Sequence, residues 1–129
     1  MAFRLTLKPH ERLVLDGAVI RNAGGRTVLI VENEVPILRE RDILSPSEVR
    51  TPADRVVMAI QLMYVEPDRR DAMRVTYQTL SQELRDAAPS LAADLDVVDG
   101  HVSAGRFYQA LRSARQLRDH ERRMLDHVR

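Results

Sequence analysis

Thr51-Pro52-Ala53-Asp54-Arg55-Val56-Val57-Met58-Ala59-Ile60-Gln61-Leu62-Met63-Tyr64-Val65 is where the chain changes its hydrophobic period, and that change divides it into a strand-forming and a helix-forming part. Thr51 supplies a capping hydroxyl, Pro52 suits the first helical position, and Asp54 puts an acid in the first turn. From Val56 to Val65 only Gln61 is clearly polar. A helix apolar on nearly every side is buried, inside its own chain or between two copies. Val57, Ile60, Met63 and Tyr64 are therefore candidates for a dimer or partner interface.

Upstream the period is two. Phe3, Leu5 and Leu7 alternate with Arg4, Thr6 and Lys8, and Leu13 and Leu15 continue the pattern to the turn signal Asp16-Gly17. Ala18 to Arg21 is a third run, and Asn22-Ala23-Gly24-Gly25 reads as a hairpin loop closing it. The β-branched run Thr27 to Val31 suits a buried strand, and Val35 to Arg39 a fifth with Pro36 at an edge or bulge. Residues 1–44 thus form a β module, a small five-stranded antiparallel sheet whose edges need covering.

Residues 45–129 read as an α-helical region. Beyond Pro67, Met73, Tyr77, Leu80, Leu84 and Ala87 form one apolar stripe. Ser90 caps a short helix carrying Leu91, Leu95 and Val98, which Asp99-Gly100 is expected to break. The last helix starts near Ser103 and turns Phe107, Leu111, Ala114, Leu117, Met124 and Val128 inward. The fold class is α+β: the five-stranded sheet, then a bundle of about four helices.

Composition narrows the function classes. The chain has 129 residues, of which 44% are apolar, 30% charged and none cysteine. A disulfide framework, a thiolate zinc site and a cysteine nucleophile are excluded together. No apolar run approaches the ~18 residues of a membrane span. Met1 to Lys8 lacks the apolar core of a secretory signal, so a cytoplasmic protein is expected. Aromatic residues are only 4%, which argues against an aromatic base-stacking platform. The net charge of +1 averages +1 over residues 1–50, −4 over 51–100 and +4 over 101–129.

Catalysis finds little support. His10, His101, His120 and His127 lack metal-ligand spacing, and no nucleophile elbow or phosphate-cradling loop occurs. No metal and no cofactor is expected. On the last helix Arg112, Arg115, Arg122, Arg123 and Arg129 share a face with Asp119 and Asp126, a pattern favouring a solvated, salt-bridged face over a phosphate footprint. The strand module places Arg4 and Lys8 on its first strand and Arg39 and Arg41 at the end of its last. Converging strand ends would bring these cations beside backbone groups able to read single-stranded RNA. Salt bridges to Glu34, Glu40 and Asp42 are the other use for the same arginines.

Leu5-x-Leu7-Lys8-Pro9-x-Glu11-Arg12, Gly17-Ala18-Val19-Ile20-Arg21-Asn22, Glu32-Asn33 and Ile37-Leu38-Arg39-Glu40 resemble the start of the FlbT family of flagellin post-transcriptional regulators. Thr51-Pro52-Ala53, Ile60-Gln61-Leu62-Met63-Tyr64 and Gly105-x-Phe107-Tyr108-x-Ala110-Leu111 extend the resemblance over essentially the whole chain. The strands alone, with Glu34, Val35, Ile37, Arg39, Glu40 and Ile43, are similar to the carbon storage regulator family of homodimeric RNA-binding sheets. That resemblance implies mRNA contacts for Lys8 and Arg39. The FlbT resemblance implies a cytoplasmic repressor that binds the 5′ leader of flagellin mRNA and lowers its translation or lifetime, alongside a FlaF-type companion protein. The rival expectation is a protein–protein adaptor whose helical half docks flagellin or that companion. A homodimer is expected in either case, with no membrane partner.

Overall fold

The alternation at the N-terminus is realised as β1 (Phe3–Leu7), followed by β2 (Arg12–Leu15), β3 (Ala18–Arg21), β4 (Thr27–Val31) and β5 (Ile37–Arg39). These coordinates are a computed structural model that describes residues 2–128. Arg129 and the side chain of Val128, assigned above to the basic face and the apolar stripe, lie outside what is described. The described residues divide into two units between Ile43 and Leu44.

The strands are all antiparallel, but they form two sheets rather than one: a β1–β4 ribbon and a three-stranded β3–β2–β5 sheet. Asp16 and Gly17 occupy the left-handed region (φ 51° and 85°) between the paired Leu15 and Ala18. That is the two-residue hairpin geometry matching strand twist. Asn22 to Gly25 is not a hairpin loop, because β4 pairs with β1 instead of β3. The Asn22 amide explains the crossing: its Nδ2 donates to Lys8 O (3.0 Å) and Gly25 O (2.9 Å), while its Oδ1 accepts from Gly24 N (3.1 Å). Nor is β4 a buried strand. Leu29 and Val31 turn towards the core of Leu5, Leu7 and Leu13, but Val28 and Ile30 face outward. A β-branched run records strand propensity, not the number of covered faces.

The second unit contains α1 (Pro52–Val65), α2 (Arg70–Ala87), α3 (Ala92–Ser103) and α4 (Phe107–Val128). α1 packs on α2 and α4, and α3 packs on α4. Val56, Val57, Ala59, Ile60 and Met63 are buried on several sides of α1, as an all-round apolar helix requires. Gln61, the polar exception, closes a two-way bond with the backbone of Leu44: Oε1 accepts its N–H (2.8 Å) and Nε2 donates to its carbonyl (2.9 Å). α3 does not break at Asp99-Gly100. It continues to Ser103, and Gly105, with a φ of 75°, closes its end through Gly105 N to Val102 O (3.0 Å) and Arg106 N to His101 O (2.9 Å). Asp99 is held inside the helix by partners on α2, which outweighs the ~1 kcal/mol a mid-helix glycine costs.

The start of α1 gathers polar partners. Thr51 Oγ1 accepts from Asp54 N (3.2 Å), and Asp54 Oδ2 accepts from Arg50 N (2.9 Å) and Thr51 N (3.1 Å). From α4, Glu121 Oε2 accepts from Ala53 N (3.0 Å) and Arg118 Nε donates to Asp54 Oδ1 (2.5 Å). Glu121 is buried, one turn beyond Leu117 on the inward stripe. An acid at a helix N-terminus meets both the free N–H groups and the positive end of the dipole.

Two measurements check this account. Ile60→Ala should lower unfolding free energy by about 2–5 kcal/mol in a denaturant titration, and Thr51→Ala by about 1 kcal/mol. Burial pushes the Asp54 carboxyl up, but the Arg50 and Thr51 amides and the Arg118 guanidinium outweigh it and hold the pKa below the ordinary value. A lowered folded pKa gives stability that is complete above the ordinary aspartate range and lost as pH falls through it. The melting temperature of Asp54→Asn should accordingly start lower at neutral pH and fall less steeply below about pH 4 than that of the unsubstituted protein. Parallel acid limbs would show that Asp54 does not carry the effect.

Candidate functional site

β1 leads into Lys8-Pro9-His10-Glu11, where Glu11 N donates to Lys8 O (3.2 Å) and His10 takes a φ of 63°. Proline second and a left-handed third residue are the marks of a type II turn. The turn aims Glu11 back at its own start: Oε1 accepts the Lys8 amide (2.8 Å), and Oε2 faces Arg39 Nη2 (3.4 Å). The same Nη2 donates to Thr6 O on β1 (2.5 Å). The Lys8 amide and then, against desolvation, the Arg39 guanidinium hold the Glu11 carboxyl below its ordinary pKa. Beside them Arg12 pairs with Glu40, its Nε donating to Oε1 at 3.1 Å.

The four cations proposed for RNA therefore have different circumstances. Arg39 is half-buried and joins the two sheets, since Thr6 belongs to the ribbon and Arg39 to the three-stranded sheet. Arg4 and Lys8 are exposed, and neither side chain forms an ion pair among the described residues. Arg41 is exposed as well, with 81% of its side chain open and Asp42 Oδ2 at 3.9 Å. Of the expected salt bridges only Arg41 to Asp42 forms among the described residues; Glu40 pairs with Arg12 instead, and Arg39 goes to Glu11. Lys-Pro-x-Glu is itself the signal for that partner, because a turn returns its fourth residue to the first.

On the helical unit, three proposed interface residues need correction. Val57, Ile60 and Met63 are no more than 2% exposed, covered by the neighbouring helices of their own unit, and cannot meet a partner. Tyr64 is half-buried, its ring 5.6 Å from that of Tyr108. His120 Nδ1 lies 2.8 Å from Asp94 Oδ2, and among the described residues no group of His, Cys, Asp and Glu could hold a metal ion. A polar cavity of about 310 Å³ between α2 and α3 is lined by Tyr77, Ser81, Arg85 and Asp99 among others. The Tyr77 hydroxyl, Ser81 Oγ (3.3 Å) and Arg85 Nη2 (2.9 Å) all donate to the Asp99 carboxylate. Burial first, then that carboxylate, pushes the Tyr77 hydroxyl up. These three donors are all answered by Asp99, which describes a clasp between helices. No helix among the described residues is long and apolar enough to cross a membrane.

Fold and site together define a small α+β protein in which a two-sheet strand unit bearing exposed cations precedes four packed helices. The family described as "Flagellar protein FlbT" matches residues 3–125, and the chain belongs to that family. It is 40% identical over 125 residues to the probable flagellum biosynthesis repressor protein FlbT 1 of Bradyrhizobium diazoefficiens, covering 96% of this chain and 85% of that one. It is 36% identical to the corresponding protein of Rhodopseudomonas palustris (97% and 98% covered) and 34% identical to the flagellum biosynthesis repressor protein FlbT of Caulobacter vibrioides (99% and 92%). These relatives are named as repressors of flagellum biosynthesis. No solved structure matches the chain.

Arg39→Ala removes the bond between the two sheets and leaves Glu11 without its cation. It should lower unfolding free energy by about 1–3 kcal/mol in urea, and Arg39→Lys should recover part of it, because a single nitrogen, Nη2, makes both contacts and an ammonium also carries donors enough for two oxygens. Unchanged stability would show that Arg39 is available for another task.

Proposed function

We propose that the protein is a cytoplasmic post-transcriptional repressor of flagellum biogenesis, binding the 5′ untranslated region of flagellin mRNA through its strand unit. Binding there lowers translation or promotes decay of the message. Its membership of a family whose relatives are named flagellum biosynthesis repressors supports the repressor role. The observation that carries the RNA reading is the set of exposed cations Arg4, Lys8 and Arg41 on a unit whose strand edges are open. Guanidinium and ammonium groups contact phosphates, while unpaired backbone groups at strand edges read exposed bases. Arg39 acts in this reading as a positioning residue that fixes β5 against β1.

The same open edges favour a homodimer, since β1, β3, β4 and β5 each pair on one side only among the described residues. A FlaF-type companion or flagellin would meet the helical unit. The adaptor alternative has lost the surface first assigned to it, because Val57, Ile60 and Met63 are interior.

A salt titration of binding to the flagellin leader, with an unrelated leader as control, tests the proposal. Affinity should fall as salt rises, and Lys8→Ala/Arg41→Ala should flatten the log–log slope by roughly 0.7 per lost contact. Salt-independent binding, or equal affinity for both leaders, would contradict it.

A further inference from the structure

The register of the ribbon separates two faces. Leu5 opposite Leu29 and Phe3 opposite Val31 lie on the side of the core, so Arg4 opposite Ile30 and Thr6 opposite Val28 lie on the other. The last pair is Leu7–Thr27, and Lys8 follows it on one chain segment while Arg26 precedes it on the other. The Asn22 amide fixes this end of the ribbon by bonding both Lys8 O and Gly25 O. The outward face therefore has an apolar centre, Val28 and Ile30, which are 45% and 61% exposed, with cations at both ends.

Three properties of this face point to its occupant. Arg4, Lys8 and Arg26 are exposed and form no ion pair among the described residues. Within the two strands no acid shares the face; Glu32 stands beyond the far end of β4, and Glu11 is already committed to the Lys8 amide and Arg39. Lys8 and Arg26 are also like charges flanking the same terminal pair of the ribbon, Leu7–Thr27, and an anion there would meet both. A second copy laid face to face would set these cations against their own kind. A polyanion whose monomers alternate charge with flat apolar rings matches the pattern: single-stranded RNA.

We infer that the outward face of the β1–β4 ribbon is the RNA-holding surface, with Arg4, Lys8 and Arg26 on phosphates and Val28 and Ile30 beneath the bases. The inference rests on the RNA reading above and adds Arg26, Val28 and Ile30 to it. Apolar contact without an aromatic platform favours unpaired, flexible segments over a duplex, whose bases are stacked inside and whose wide groove presents hydroxyls.

Fluorescence anisotropy with a labelled single-stranded flagellin-leader fragment separates the outcomes. Arg26→Ala should bind at least about fivefold more weakly, with a salt slope smaller by about 0.7, yet melt no lower than the unsubstituted protein. Ile30→Ser should weaken binding with the salt slope unchanged, because it removes contact area and not charge. Arg112→Ala, an exposed cation on α4, should bind normally. If the unsubstituted protein binds while Arg26→Ala and Ile30→Ser bind equally well, this face is wrong and the RNA reading stands. If the unsubstituted protein binds no RNA, or prefers vesicles containing phosphatidylglycerol, both fall.

Discussion

The Arg39 guanidinium connects two sheets that share no backbone ladder, and the disposition of the other charges on the strand unit follows from it. Its Nη2 reaches Thr6 O on the ribbon and Glu11 Oε2 in the turn after it. Two- and three-stranded sheets of three to five residues per strand bury too little to hold each other by apolar contact alone. A charge-assisted bond to a backbone carbonyl adds direction to what Leu5, Leu7 and Leu13 supply in area. Glu11 then has to face inward to balance Arg39, and doing so draws the Lys8 amide into the turn. The Lys8 side chain is left exposed, just past the end of β1. Structural demand on one arginine thus sorts the remaining cations onto the solvent side.

The helical unit solves a different problem with the same kind of bond. α1 is buried on most sides, so its unsatisfied N-terminal amides cannot rely on water. Thr51, Asp54 and Glu121 answer them, and Arg118 neutralises Asp54. Gln61 performs the equivalent service for Leu44. No buried side-chain nitrogen or oxygen among the described residues is left without a partner. Two of the acids in residues 51–100, Asp54 and Asp99, belong to this scheme as structural anions with arginine partners.

Features set by local chemistry were legible in the sequence. Asp16-Gly17 needs only its own dihedral preferences, and Thr51-Pro52-x-Asp54 needs only its own amides, so both read correctly without a neighbour. Features set by what lies across a gap were not. Val28 and Ile30 have the same propensity as a buried strand, but one face of the ribbon receives no cover. Asp99-Gly100 looks like a helix stop until Tyr77 and Arg85 are placed opposite it. Glu121 falls on the apolar stripe of α4, where its charge argues for solvent, and only the approach of α1 gives it a reason to be buried. The Val56–Val65 pattern demanded burial and was silent on who provides it; the answer is α2 and α4 of the same unit.

For the candidate site the decisive quantity was also nonlocal. Cations on the strand unit are nearly matched by acids, which makes the total charge uninformative about a polyanion. What separates them is partner assignment. Arg12 and Arg39 are ion-paired with Glu40 and Glu11, whereas Arg4, Lys8 and Arg26 form no ion pair among the described residues. A bound phosphate exchanges with water around a free guanidinium, but it must displace a carboxylate to reach a paired one, and that competition removes most of the gain. The arginine that holds the strand unit together is for this reason the poorer ligand for RNA, although its position in the sequence makes it the more conspicuous candidate. In the RNA reading proposed above, folding depends on Arg39 and binding on Arg26, two different residues of one small unit, so a change at Arg26 leaves the bond between the sheets in place.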